Sequence, residues 1–200
     1  MWIAALFAIT LAASPQRATS PELTPQKLFE AGKYQDAIDR IKALADAPKD
    51  QIYLRALAHR KLNQNDEAKE AFQSLAAGGD EGVWASIGAA GAAWIEGDLD
   101  AALTAAKKAI DQDGGAALAH FQLGLVESAR GNQAPAAEAF AKAAELEPQF
   151  AYAHYEAGMA FYKIKRVDRM AVYFENFLKL APNAPEAPAV KSIMKTVRGR

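Results

Sequence analysis

The stretch ARGNQAPAAEAFAKAAELEP, Ala129 to Pro148, decides the fold because its grammar does not occur once. It sets a glycine, then alanines and a phenylalanine at helical spacing, then a proline. The same order returns every 34 residues, and four units starting at Lys49, Val83, Ala117 and Ala151 align without a gap. A fixed period of this length is the mark of an array rather than of a globule.

Within that register the fifteenth and sixteenth positions hold Asn63-Gln64, Gly97-Asp98, Gly131-Asn132 and Lys165-Arg166, which read as a turn. The twentieth holds Ala68, Ala102, Ala136 and Met170, the twenty-fourth Phe72, Ala106, Phe140 and Phe174, and the twenty-seventh Leu75, Ala109, Ala143 and Phe177. Spacings of four and three lay these residues along one helical stripe. The eighth position is always small: Ala56, Ala90, Gly124 and Gly158. A glycine inside a helix costs about 1 kcal/mol relative to alanine, so Gly124 and Gly158 imply a close approach, expected from another helix backbone. Pro148 and Pro182 end the second helix of their units, and Gly114 does so one unit earlier.

These residues resemble the tetratricopeptide repeat family, in which a 34-residue unit forms a helix, a turn and a second helix. The likeness spans about residues 26–182 and includes a degenerate first unit, LFEAGKYQDAIDRIKALADAP, with a turn at Gly32-Lys33-Tyr34 and the stripe Ala37, Ile41 and Leu44. Units are expected at about 26–48, 49–82, 83–116, 117–150 and 151–184. The fourth position departs from the family's large aromatic, carrying Ile52, Ser86, His120 and His154 instead. The expected fold is all-α, a right-handed α-solenoid. Each hairpin buries its apolar face on its neighbours, so the ends need covering. Ala189, Ile193, Met194 and Val197 predict a C-terminal capping helix over residues 186–198.

The resemblance also places positions two, five, nine and twelve of each unit on a concave face and implies a scaffold that binds a protein or peptide. The candidate partner-binding residues there are Tyr53, Leu57, Trp84, Ile87, Trp94, Phe121, Leu125, Tyr152, Tyr155, Met159 and Tyr162. Such a set favours a segment with apolar anchors. The alternative is that these aromatics pack helices together. Trp84 and Trp94 are the preferred binding residues, with Gly88 and Gly91 between them expected to leave a shallow depression. The carboxylate-gripping variant of the family needs cations and amides in the groove, and the matching positions here are apolar.

Composition bounds the remaining possibilities. Half the chain is hydrophobic, 51%, and alanine-rich, as a folded helical protein requires. The net charge is -1, but residues 1–160 carry 14 Lys and Arg against 21 Asp and Glu, and residues 161–200 carry 9 against 3. A basic end (+6) therefore joins an acidic body (-7). That end is either a solubilising surface or a dock for an acidic partner. An acidic body argues against nucleic acid along the groove, including the RNA reading of the related pentatricopeptide class.

There is no cysteine, which removes disulfides and thiol chemistry. His120 and His154 lie one period apart, so their spacing reflects repetition rather than a ligand pair. No catalytic or metal motif is present, and neither an enzymatic activity nor a cofactor is expected. Gly78-Gly79 and Gly114-Gly115 are expected at hairpin ends, and Asp98 and Asp100 in a turn where N-capping explains them.

The N-terminus reads as an address. MWIAALFAITLAASPQ has an apolar run from Trp2 to Ala13 that as a helix would span about 18 Å, short of the roughly 30 Å of a bilayer core. A secretory signal peptide over residues 1–13 fits this length, with no stable membrane span, although no Lys or Arg precedes the run. An uncleaved, weakly inserted anchor is the alternative. Residues 14–25 read as a flexible linker, and the protein is expected to be exported, periplasmic or secreted. Besides the groove-binding scaffold, two other roles fit: an assembly subunit docking through its basic end, and an accessory sheltering an apolar ligand.

Overall fold

The structure, a computed structural model, describes residues 23–76 and 82–199. The expected signal peptide, most of the expected linker and Gly78-Gly79 lie outside them. Among the described residues there is no strand, and no helix is long and apolar enough to cross a membrane. The helices pair in chain order: α1 (Pro25–Glu30) with α2 (Tyr34–Lys42), α3 (Lys49–Lys61) with α4 (Asn65–Gln73), and α5 (Val83–Glu96) with α6 (Leu99–Gln112). Then come α7 (Ala117–Ala129) with α8 (Gln133–Leu146), α9 (Ala151–Lys163) with α10 (Val167–Leu180), and finally α11 (Ala187–Arg198). Each helix packs on the next, so the chain is an α-solenoid of helical hairpins.

One turn is used five times. The fifteenth residue of each aligned unit takes a positive φ: 59° at Asn63, 82° at Gly97, 84° at Gly131 and 62° at Lys165, with Gly32 at 75° in the first hairpin. The residue after it sends its N–H back to the carbonyl five residues earlier, as in Gln64 to His59, Asp98 to Ala93, Asn132 to Glu127 and Arg166 to Phe161. This is the left-handed closure of a helix end, which glycine adopts without a Cβ penalty. Asp98 also caps α6, accepting from the Ala101 N–H at 3.0 Å.

The stripe read from the sequence is the core. Ala68, Ala102, Ala136, Met170, Phe72, Ala106, Phe140, Phe174, Leu75, Ala109, Ala143 and Phe177 are all buried. Three local expectations differ. The linker stops short of Pro25, because Thr24 caps α1 and proline suits the first helical turn. Leu44 is exposed because α2 has already ended at Lys42, and Ile38 takes its place in the core. In α11 the buried side chains are Ala187, Val190 and Met194, while Ala189 faces outward.

At Gly124 and Gly158 the small eighth position faces a ring rather than a backbone. A Cβ on Gly124 would lie 2.5 Å from the Phe140 ring, and one on Gly158 would lie 2.4 Å from Phe174. Phe72, whose own unit carries Ala56, instead lies against Gly91 of the next unit and edge-on to Tyr53 at 5.5 Å. Gly88 and Gly91 therefore form no depression, because Phe72 fills the space beside both.

Two of the three histidines repeat a joint between hairpins. His120 Nε2 meets the Gly114 carbonyl and His154 Nε2 the Pro148 carbonyl, both at 3.0 Å and one period apart. Burial pushes the His154 pKa down, and the Pro148 bond only partly restores it. The unfolded chain therefore takes up this proton first, so the histidine's contribution is intact above 6.5 and is lost as pH falls below it. Urea unfolding from about pH 7.5 to about pH 5.5 should show the wild type losing more stability than His154→Asn, and equal losses would refute this.

Candidate concave site

The concave face is closed rather than open. Tyr53, Ile87, Phe121 and Tyr152 are buried to 2% exposure or less, and Leu57 to 8%. These five side chains are buried between helices. Residues of distant units meet across this face. Phe29 of α1 meets Tyr152 of α9 edge-on at 4.9 Å, and the Tyr53 hydroxyl donates to Gln122 Oε1 at 2.9 Å. Burial raises the Tyr53 phenol pKa above its ordinary range, so Tyr53 serves as a neutral donor.

A hollow of about 230 Å³ remains between these helices, lined by Phe29, Leu57, Arg60, Lys61, Trp94, Phe121, Leu125, Tyr152 and Glu156. Trp94 and Leu125 are half-buried there. The Arg60 guanidinium stands over the Trp94 ring at 5.6 Å, and Lys61 Nζ lies 5.0 Å from the Tyr152 ring centroid. Lys61 also pairs with Glu186 at 2.8 Å, and the Tyr152 hydroxyl donates to the other Glu186 oxygen at 2.9 Å. Burial pushes the Tyr152 phenol up, and the Glu186 charge adds to it. Burial likewise raises the Glu156 carboxyl, against the pull of Lys61 and Lys163. An apolar cavity with charges at its edge suits one apolar side chain and polar flanks.

The other expected residues are dispersed. Trp84, half-buried, lines a separate hollow of about 360 Å³ with Ile87, Leu118, Asp50, Asp113 and Glu147. Glu147 is raised by burial and by the neighbouring Asp50 charge. Tyr155 packs on Phe177 at 5.1 Å, and its phenol is pushed up to about 12, chiefly by burial. Met159 is half-buried and Tyr162 exposed, and neither lines the cavity. Sequence reasoning left out Phe29, Lys61, Glu156 and Glu186. The one available signal was Glu156, a charge set in the apolar run between Tyr155 and Ala157.

The tetratricopeptide repeat model matches residues 53–117 and 121–185, more than half the chain. The protein belongs to the tetratricopeptide repeat family. This tetratricopeptide repeat protein is similar to the crystal structure of TTC0263, a thermophilic TPR protein of Thermus thermophilus. The two are 19% identical with a TM-score of 0.60, over 86% of this chain and 94% of that one. It is also similar to YrrB, described as a TPR protein with an unusual peptide-binding site, at 18% identity and a TM-score of 0.53 over 84% and 88% of the two chains. The crystal structure of MamA is 22% identical with a TM-score of 0.49, over 80% and 95%. No curated protein matches the chain. At these identities the likeness concerns the fold of the repeat array.

Proposed function

We propose that the protein is a non-catalytic interaction scaffold that holds a partner segment at its concave face, with one apolar side chain of the partner in the cavity beside Trp94. The observation that carries this reading is the cavity itself. Trp94 and Leu125 keep exposed surface next to an apolar hollow rimmed by Arg60, Lys61 and Glu156, while Tyr53, Phe121 and Tyr152 are buried. Tryptophan and arginine at the centre of a contact are the residue types that dominate binding energies. YrrB, whose description includes a peptide-binding site, supports the reading by analogy of fold alone. Trp84, Tyr155, Met159 and Tyr162 would at most extend the contact beyond the cavity. The N-terminal apolar run supports an exported scaffold, working outside the cytoplasm.

A second reading rests on the last hairpin. Between α10 and α11 lies an open hollow of about 470 Å³ floored by Leu178 and Met194, with Lys191 and Lys195 on one side and the single carboxylate Glu175 beside them. An acidic partner there would make the protein an assembly subunit. The two readings separate by mutation. Trp94→Ala should weaken capture of the partner by about 2 kcal/mol or more, measured by pull-down with the full chain. Lys191→Glu with Lys195→Glu should leave capture intact. The reverse pattern would transfer the function to the basic end.

A further inference from the structure

The loop Ala181–Glu186 closes the ring from the C-terminal side. Ala184 is buried, and Pro185 sits so near Gly32 that a Cβ there would be 2.5 Å from its ring. Lys27 Nζ reaches the Leu180 carbonyl at 3.5 Å. The polar anchor is Glu186, whose two carboxylate oxygens are taken by Lys61 at 2.8 Å and by the Tyr152 hydroxyl at 2.9 Å. Both residues line the concave cavity. The chain thus presents a carboxylate of its own at the rim of the site, carried on a short proline-flanked segment.

We infer that Glu186 is an exchangeable built-in occupant, and that the partner segment carries a carboxylate beside its apolar anchor and displaces Glu186 from Lys61 and Tyr152. This rests on the reading of the cavity as the partner site. The rim holds two cations, Arg60 and Lys61, against one carboxyl, Glu156, so with Glu186 displaced it favours an acidic occupant, and Arg60 is placed over the Trp94 indole. An incoming carboxylate can reach the pair from solvent at Lys61, whose side chain is 33% exposed, while Glu186 keeps 16% of its side-chain surface exposed. A site blocked in this way binds with an affinity reduced by the fraction of molecules that are open.

The probe is a blocked peptide of sequence APNAPEAP, copied from residues 181–188, titrated calorimetrically into the full-length chain. Glu186→Ala should bind it at least about fivefold more tightly than wild type, the lower end of ordinary coupling. The same peptide with its glutamate replaced by alanine should lose that gain. Equal affinity of Glu186→Ala and wild type, or undiminished binding of the glutamate-free peptide, would overturn the inference. If circular dichroism shows Glu186→Ala to be unfolded, Glu186→Gln replaces it in the same titration with the same two outcomes. The failures are distinguishable. Loss of partner capture by Trp94→Ala with no peptide effect of Glu186→Ala keeps the cavity reading and removes the latch. Unchanged capture by Trp94→Ala removes the cavity reading itself.

Discussion

Phe174→Ala is expected to lower the free energy of unfolding by about 3–5 kcal/mol, the range for deleting a buried phenyl ring. Phe174 is wholly buried, and its ring occupies the space that a side chain at position 158 would need. Deleting the ring opens a void between α9 and α10 that backbone relaxation fills only in part. Gly158 supplies the control. Gly158→Ala in the wild type should lose about 1–3 kcal/mol to overpacking, partly offset by about 1 kcal/mol of helix propensity. In the Phe174→Ala background the added methyl meets open space, so the clash disappears and only the propensity gain remains. The double variant should be more stable than the sum of the single losses predicts, by about 0.5–3 kcal/mol. Urea titration of the four proteins measures this coupling, and additive losses would refute the ring-on-glycine account of the repeat.

Ala136→Glu should cost about 3 kcal/mol or more. Ala136 is completely buried at the twentieth position of its unit, on the face of α8 turned into the array. The glutamate must either bury a carboxylate with no cation among the core residues or push the hairpin apart. Exposed Glu138 on the same helix, paired with Arg169, marks the face where a carboxylate is tolerated. Ala134→Glu, at an exposed site in the first turn of α8, should change stability by no more than about 0.5 kcal/mol. A melting temperature unchanged in Ala136→Glu would contradict the register on which the fold was read.

The repeat was legible because its determinants are local. The turn at the fifteenth position, the buried stripe and the small eighth position each recur at a spacing that one helical hairpin imposes. What stands beside a small residue was less legible: Gly124 and Phe140 are in one unit and their pairing is visible in the sequence, but nothing local says that the ring rather than a neighbouring backbone fills the gap. The same ambiguity turned Gly91 into an expected depression, when the Phe72 ring of the preceding unit covers it. The concave face was the least legible part. Its closure depends on contacts such as Lys61 with Glu186, 125 residues apart, which follow from a small rotation per hairpin summed along the array. No single unit encodes that sum. Tyr53, Ile87, Phe121 and Tyr152 therefore read as open groove residues and are buried, Phe121 and Tyr152 in the wall of the cavity, while Phe29 and Glu186, lying outside the aligned units, meet Tyr152 there.

The most direct test of the closed concave face with an accessible Trp94 is fluorescence of the full chain carrying Trp2→Phe and Trp84→Phe, with acrylamide as quencher. The account predicts emission from Trp94 that acrylamide reaches, but at a rate well below that of free tryptophan, because Arg60 lies over the indole and the side chain is half-buried at the cavity wall. Quenching as fast as free tryptophan would mean that the array is open and the cavity does not exist, contradicting the account.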